Sequence, residues 1–151
     1  MPRHLIIDTN LLLLLVIGSV EEGRHIRNSK RLKAFNISDY DKILKIMSGY
    51  DEVHITPYIA TEISNLIDLD GHAKLLAYQA AKYLFSFFKK IDVDIDADCE
   101  SEYFLRFGIT DSSIINLAPN YFILTCDYRM LDPLYKNSKD TIIPYCKQHP
   151  V

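Results

Sequence analysis

At 151 residues, with 48% hydrophobic and 25% charged side chains, the chain has the length and balance of one folded domain and lies outside the disordered range. A formal net charge of -3 excludes the uniformly basic field that many nucleic-acid-binding domains carry. The charges are nevertheless segregated: Arg24, Arg27, Lys30, Arg31 and Lys33 crowd one stretch, and Asp92, Asp94, Asp96, Asp98, Glu100 and Glu102 another.

The first element expected is a buried strand over His4 to Ile7, ending at Asp8. Thr9 or Asn10 is the expected N-cap of a helix carrying Leu11 to Val20. Its apolar run, Leu11 to Ile17, is far shorter than the roughly 20 residues that cross a membrane. Asp8 before it and Glu21-Glu22 after it also speak against a secretory signal, so a buried core helix is expected, with no membrane association. Residues 21–36 are polar and basic and read as a loop or a mobile helix. Their cations either grip phosphates or simply face solvent.

A helix is expected to start near Ser38, with Ile43, Leu44, Ile46 and Met47 on its apolar side and Gly49 at its end. Val53 and Ile55 mark a second strand. Thr56-Pro57 then opens a helix in which proline takes the first position. His72 to Lys89 reads as a strong helix, whose aromatic stripe Tyr78, Tyr83, Phe85, Phe87 and Phe88 suits a core or a subunit interface. Ile91 to Ile95 is expected as a third strand and Glu100 to Phe107 as a helix stopped by Gly108. Thr110-Asp111 opens another helix, Tyr121 to Leu124 makes a further strand, and Thr141 to Ile143 makes the last. Strands alternating with helices predict a single α/β domain over residues 1–151 with a mostly parallel sheet.

The three cysteines, Cys99, Cys126 and Cys146, are scattered and form no CxxC pair, so neither a disulfide framework nor a zinc knuckle is expected. Together with the missing targeting signal they point to a cytoplasmic location. The five histidines, at positions 4, 25, 54, 72 and 149, show no metal-ligand spacing along the chain. The acidic run 92–102 lacks the glycine and glutamate positions of a calcium loop and reads as a solvated segment. No glycine-rich phosphate loop and no Gly-x-Ser-x-Gly elbow is present.

Chemistry is expected from four carboxylates. Ligands of open parallel sheets bind outside the carboxyl ends of the strands, where Asp8 and Asp127 fall. Asp111 sits at a helix start, against free N–H groups and the positive end of the dipole. Glu62 lies three residues after Ile59 and four before Leu66, so it shares the face those residues turn inward. Taken singly, each acid has an ordinary explanation as a cap, a turn residue or a salt-bridge partner. Taken together, they repel: two unit charges about 4 Å apart cost roughly 4 kcal/mol at an effective dielectric near 20. Protonation or a divalent cation must relieve this, and hard oxygen ligands select Mg²⁺ or Mn²⁺. Such a site suits phosphodiester hydrolysis.

Four segments, Ile6-Ile7-Asp8-Thr9-Asn10, Thr56-Pro57-Tyr58-Ile59-Ala60-Thr61-Glu62-Ile63, Gly108-Ile109-Thr110-Asp111-Ser112-Ser113-Ile114 and Leu124-Thr125-Cys126-Asp127, resemble in order the acidic motifs of PIN-domain nucleases. The resemblance runs from about Arg3 to Tyr145. It implies a PIN-like three-layer fold with about five parallel strands flanked by helices, Mg²⁺ or Mn²⁺ dependence, and cleavage of single-stranded RNA. It also implies Asn10, Ser112 and Thr125 as polar neighbours that orient carboxylates or water. A toxin-like ribonuclease held by an inhibitory antitoxin protein is the role expected, with a homodimer through the helix from His72 to Lys89. Residues 21–36 depart from the compact toxin-like members in being longer and more basic, and Asp111 is followed by Ser112 and Ser113 with no additional acid there. Two alternatives stay open: a DNA-directed, structure-specific or RNA-maturation nuclease, and a non-catalytic domain that binds RNA or protein.

Overall fold

The computed structural model describes residues 2–145, so Cys146 and His149 lie outside the described residues. Strand β1 (His4–Ile7) is followed by helices α1 (Thr9–Gly18) and α2 (Ile37–Met47), then β2 (Glu52–Ile55). Helices α3 (Pro57–Leu66) and α4 (Gly71–Phe87) lead to β3 (Lys89–Lys90). Three short helices, α5 (Ile95–Glu100), α6 (Glu102–Phe107) and α7 (Ile109–Leu117), precede β4 (Phe122–Thr125), and α8 (Leu131–Asn137) precedes β5 (Ile142–Pro144).

The five strands form one sheet in the order β3-β2-β1-β4-β5, and every pairing is parallel. The right-handed crossover rule for parallel strands assigns the helices between β1 and β3 to one face and those between β3 and β5 to the other. This is the α/β sheet flanked by helices that the sequence predicts. The direction of travel reverses between β1 and β4, so the switch point of the sheet lies at the carboxyl ends of those two strands.

Every residue of α1 except Asn10 is buried, and the helix packs against α2, α3 and α4. A helix apolar on all sides is stable only inside a protein, which is why Leu11 to Ile17 forms the central pillar of the core. Its N-cap is Asp8, whose carboxylate accepts the Thr9 amide, and not Thr9 or Asn10 as expected. Helix α2 begins a residue or two early for a similar reason: Asn36 and Asp39 form a reciprocal capping box.

Three further expectations are corrected. The third strand is not Ile91–Ile95 but the pair Lys89–Lys90, because β2 ends at Ile55 and offers the chain beyond only one more bond, from the Ile91 amide. Ile95 instead starts α5, capped by Asp94 through the Asp96 amide. The acidic run is not wholly solvated either: Asp98 is buried, accepting hydrogen bonds from the Tyr58 hydroxyl at 2.9 Å and the Asn116 amide at 3.2 Å. Helix α8, where no element is expected, accommodates Pro133 in its first turn, where the missing N–H costs nothing.

Residues 21–36 are an ordered strap rather than a loose loop. It contains two 3₁₀ turns, Glu21–Gly23 and Ile26–Asn28, and buries Ile26, Leu32 and Phe35 in the core. Asp68 fastens the strap by accepting the Ser29 hydroxyl at 2.7 Å and the amides of Lys30 at 2.9 Å and Arg31 at 3.3 Å. Among the described residues no helix is long and apolar enough to cross a membrane.

Candidate functional site

Asp8, Glu62, Asp111 and Asp127 line one cavity of about 240 Å³ at the switch point of the sheet, together with Thr9, Asn10, Arg31, Leu66 and Arg129. Asp8 leaves the end of β1, which the Asp8 amide ties to β4 through the Leu124 carbonyl at 2.9 Å. Glu62 projects from the middle of α3, whose Ile59 and Ile63 are buried. Asp111 sits in the first turn of α7. Gly108, at φ 88°, both ends α6 and caps α7, a backbone turn that a side chain would strain. Asp127 follows β4 and caps the turn Tyr128–Met130.

Asp8 is buried, with one carboxylate oxygen on the Thr9 amide at 2.7 Å and the other on the Thr125 hydroxyl at 2.6 Å. Burial pushes its carboxyl above the usual range; the two hydrogen bonds oppose this, while Asp127 and Glu62 add to it. Asp111 is pushed up to about 7, first by burial and then by the charges of Asp8, Asp127 and Glu62, with Arg129 opposing. Asp127 moves the other way. Its two oxygens accept a paired contact from the Arg129 guanidinium, at 3.1 Å from Nε and 2.8 Å from a terminal nitrogen, which holds its carboxyl below the usual range.

Of the polar neighbours the resemblance implies, Asn10 lines the cavity and Thr125 orients both Asp8 and the Asp127 amide, which donates to its hydroxyl at 3.0 Å. Ser112 does neither. It is fully buried and donates to the Asp98 carbonyl at 2.7 Å, fixing α5 to α7. The basic stretch divides similarly. Arg31 reaches the acidic cavity; Arg24 and Arg27 line a larger one, of about 630 Å³, with Glu21, Glu22, Phe35 and Ile37. Lys30 and Lys33 are exposed and border neither. The smaller cavity, where four carboxylates from separate segments meet, is the candidate site.

Two further residues border the site: Arg129, which no motif marks, and Thr9, which the sequence marks only as a helix cap. Arg129 carries no periodic signal, because its role depends on a side chain turning back two residues onto Asp127. The Thr9 hydroxyl is buried at the cavity without a hydrogen-bond partner among the described residues, an oxygen left over for a ligand. Four crowded carboxylates, two of them pushed up, and a spare hydroxyl fit a hard divalent cation.

Metal spacing among the histidines, absent along the chain, exists in space. His4 and His54 meet across β1 and β2, with Nδ1 of the first 2.8 Å from Nε2 of the second, and Glu52 completes a cluster whose ligand atoms all lie within 4.8 Å of one another. Burial and the neighbouring His4 lower the pKa of His54. No known protein family and no curated protein matches the sequence.

Proposed function

We propose that this chain is a PIN-like, Mg²⁺- or Mn²⁺-dependent endoribonuclease acting on single-stranded RNA, with its active site in the acid-lined cavity. The observation that carries the reading is the convergence of Asp8, Glu62, Asp111 and Asp127, from four separate segments, on one cavity at the sheet's switch point. Burying that much negative charge is costly unless a cation compensates it. The ion, when bound, supplies Lewis acidity towards a phosphoryl oxygen and lowers the pKa of water.

The chain's own groups have distinct tasks in this reading. Buried Asp8 and half-buried Asp111 hold the cation, and Thr125 and the Thr9 amide aim the Asp8 oxygens. Glu62 and Asp127 complete the ring. Arg31 and Arg129 at the same cavity offer guanidinium groups to the phosphates on either side of the scissile bond. A regulating protein partner and a homodimer belong to the same reading; α4 leaves Leu75, Tyr83 and Phe87 exposed for such contacts.

The test is incubation with end-labelled single-stranded RNA, duplex RNA and flapped DNA, with Mg²⁺, Mn²⁺ or a chelator. Cleavage of single-stranded RNA that the chelator and Asp8→Asn both abolish is expected. Cleavage of flapped DNA alone transfers the site to a DNA-directed nuclease. The non-catalytic reading draws on Asp8 acting as a helix cap and Asp127 as an arginine partner. It wins if nothing is cut and Mn²⁺ brings no thermal stabilisation.

A further inference from the structure

We propose a second metal site, for a zinc-like transition ion, made by His4, Glu52 and His54 on one face of the sheet. His4 and Glu52 are paired residues of parallel β1 and β2, so they project to the same side, and His54 follows Glu52 at the two-residue period of a strand. The pleat therefore presents two imidazoles and a carboxylate together. His4 opens β1 whereas Asp8 follows its end, a separation of about 13 Å at the rise of a strand, so this site is independent of the acidic cavity and of the function proposed for it.

The spacing fits. Ligands about 2.0–2.2 Å from a tetrahedral ion lie roughly 3.4 Å from one another. The imidazole nitrogens are 2.8 Å apart, and the Glu52 carboxylate is 3.9 Å from Nε2 of His54, values on either side of that edge. The third edge, from His4 to Glu52, is within 4.8 Å, so opening the imidazole pair by about half an ångström and drawing the carboxylate in by up to about 1.4 Å makes a three-ligand set with one open position. Two neutral imidazoles joined by a hydrogen bond need only shift a proton between ring nitrogens to present both lone pairs. Tyr121 supports the arrangement, its ring edge-on to both His4 and His54 at 6.4 and 5.1 Å between centroids. Lys89, 3.9 Å from Glu52, is the competing cation, but its side chain is largely exposed and free to turn away. Imidazole nitrogen selects zinc, cobalt or nickel over magnesium, so the two sites differ in the ion they take.

The experiment uses the whole protein carrying Asp8→Asn and Asp111→Asn, which disables the acidic cavity, titrated with Zn²⁺ by calorimetry and with Co²⁺ by visible absorption. One equivalent bound per chain, with tetrahedral Co²⁺ bands and a rise in melting temperature, is expected. Adding His54→Gln is expected to weaken binding at least about 100-fold. Should that variant not fold, Glu52→Gln, at a half-exposed position, is expected to weaken it by about tenfold. No saturable binding in the double-acid variant, or binding indifferent to His54→Gln and Glu52→Gln, overturns the proposal.

Discussion

The Thr125 hydroxyl donates a 2.6 Å hydrogen bond to Asp8, 117 residues away in the chain, and its oxygen also receives the Asp127 amide. One hydroxyl thus fixes the acids that end two neighbouring strands. Thr125→Val keeps the shape and removes both contacts. Because the acceptor is a buried carboxylate, the variant is expected to lose about 1.5–3 kcal/mol of stability, measured by urea denaturation without metal. Its Mn²⁺ affinity is also expected to fall, since Asp8 is no longer aimed.

Asp111 makes the metal-free protein sensitive to pH. Its carboxyl stands near 7 in the folded chain against 3.8 for the ordinary group, so between those values the folded state holds more protons than the unfolded one. Stability contributed by this group is complete below about pH 4 and is lost as the pH rises towards 7. Asp111→Asn is expected to flatten that decline, and Mn²⁺ to offset it in the unchanged protein. Melting temperatures from pH 4 to 8, with chelator or with Mn²⁺, measure both effects.

Asp8→Asn tests the nuclease reading most directly. The amide retains an oxygen to accept one hydrogen bond but carries no charge, so the circular dichroism spectrum should be unchanged. Cleavage is expected to fall by at least two orders of magnitude, the scale typical of losing a preorganised electrostatic group. Activity near that of the unchanged protein would remove Asp8 from the site.

Arg31 and Arg27 are near neighbours in sequence but border different cavities. Arg31→Ala is expected to reduce the slope of log affinity against log salt for single-stranded RNA by about 0.7. Arg27→Ala should leave it unchanged. Equal effects from the two would mean that the strap as a whole, not the acidic cavity, meets the backbone.

Arg129 supplies positive charge to the acidic cavity before any metal arrives. Arg129→Gln is expected to let the Asp127 carboxyl rise towards its ordinary range and to raise Asp111 further, because the guanidinium opposes its shift. Removing this built-in competitor should tighten Mn²⁺ binding several-fold by calorimetry while weakening RNA binding.

Where local rules govern, the sequence was readable. Asp8 is found by the apolar strand before it, and Glu62 by its place on the face of Ile59 and Leu66. Asp127 is found by the run Phe122 to Thr125, and the parallel sheet by the alternation of elements. Where a side chain's partner lies far along the chain, it was not. Ser112 turns away to the Asp98 carbonyl, and Arg31 reaches the acids because Asp68 fastens its backbone. His4 and His54 adjoin through strand register, which no spacing rule encodes. β3 falls at Lys89–Lys90 and not at Ile91–Ile95 because an edge strand stops where its neighbour stops, and the residues that fix that limit belong to β2.

The central position of β1 has a consequence for synthesis. Strand β1, made before both its neighbours, must wait beside β2 for β4, which supplies its second neighbour and, in Thr125, the hydroxyl that aims Asp8. A nascent chain emerging from the ribosome can cover the apolar segment Leu11 to Ile17 with α2, α3 and α4 before β4 exists. It completes the acidic cavity only once β4 and Asp127 appear, so fragments ending before Phe122 should be prone to aggregate and unable to retain the ion.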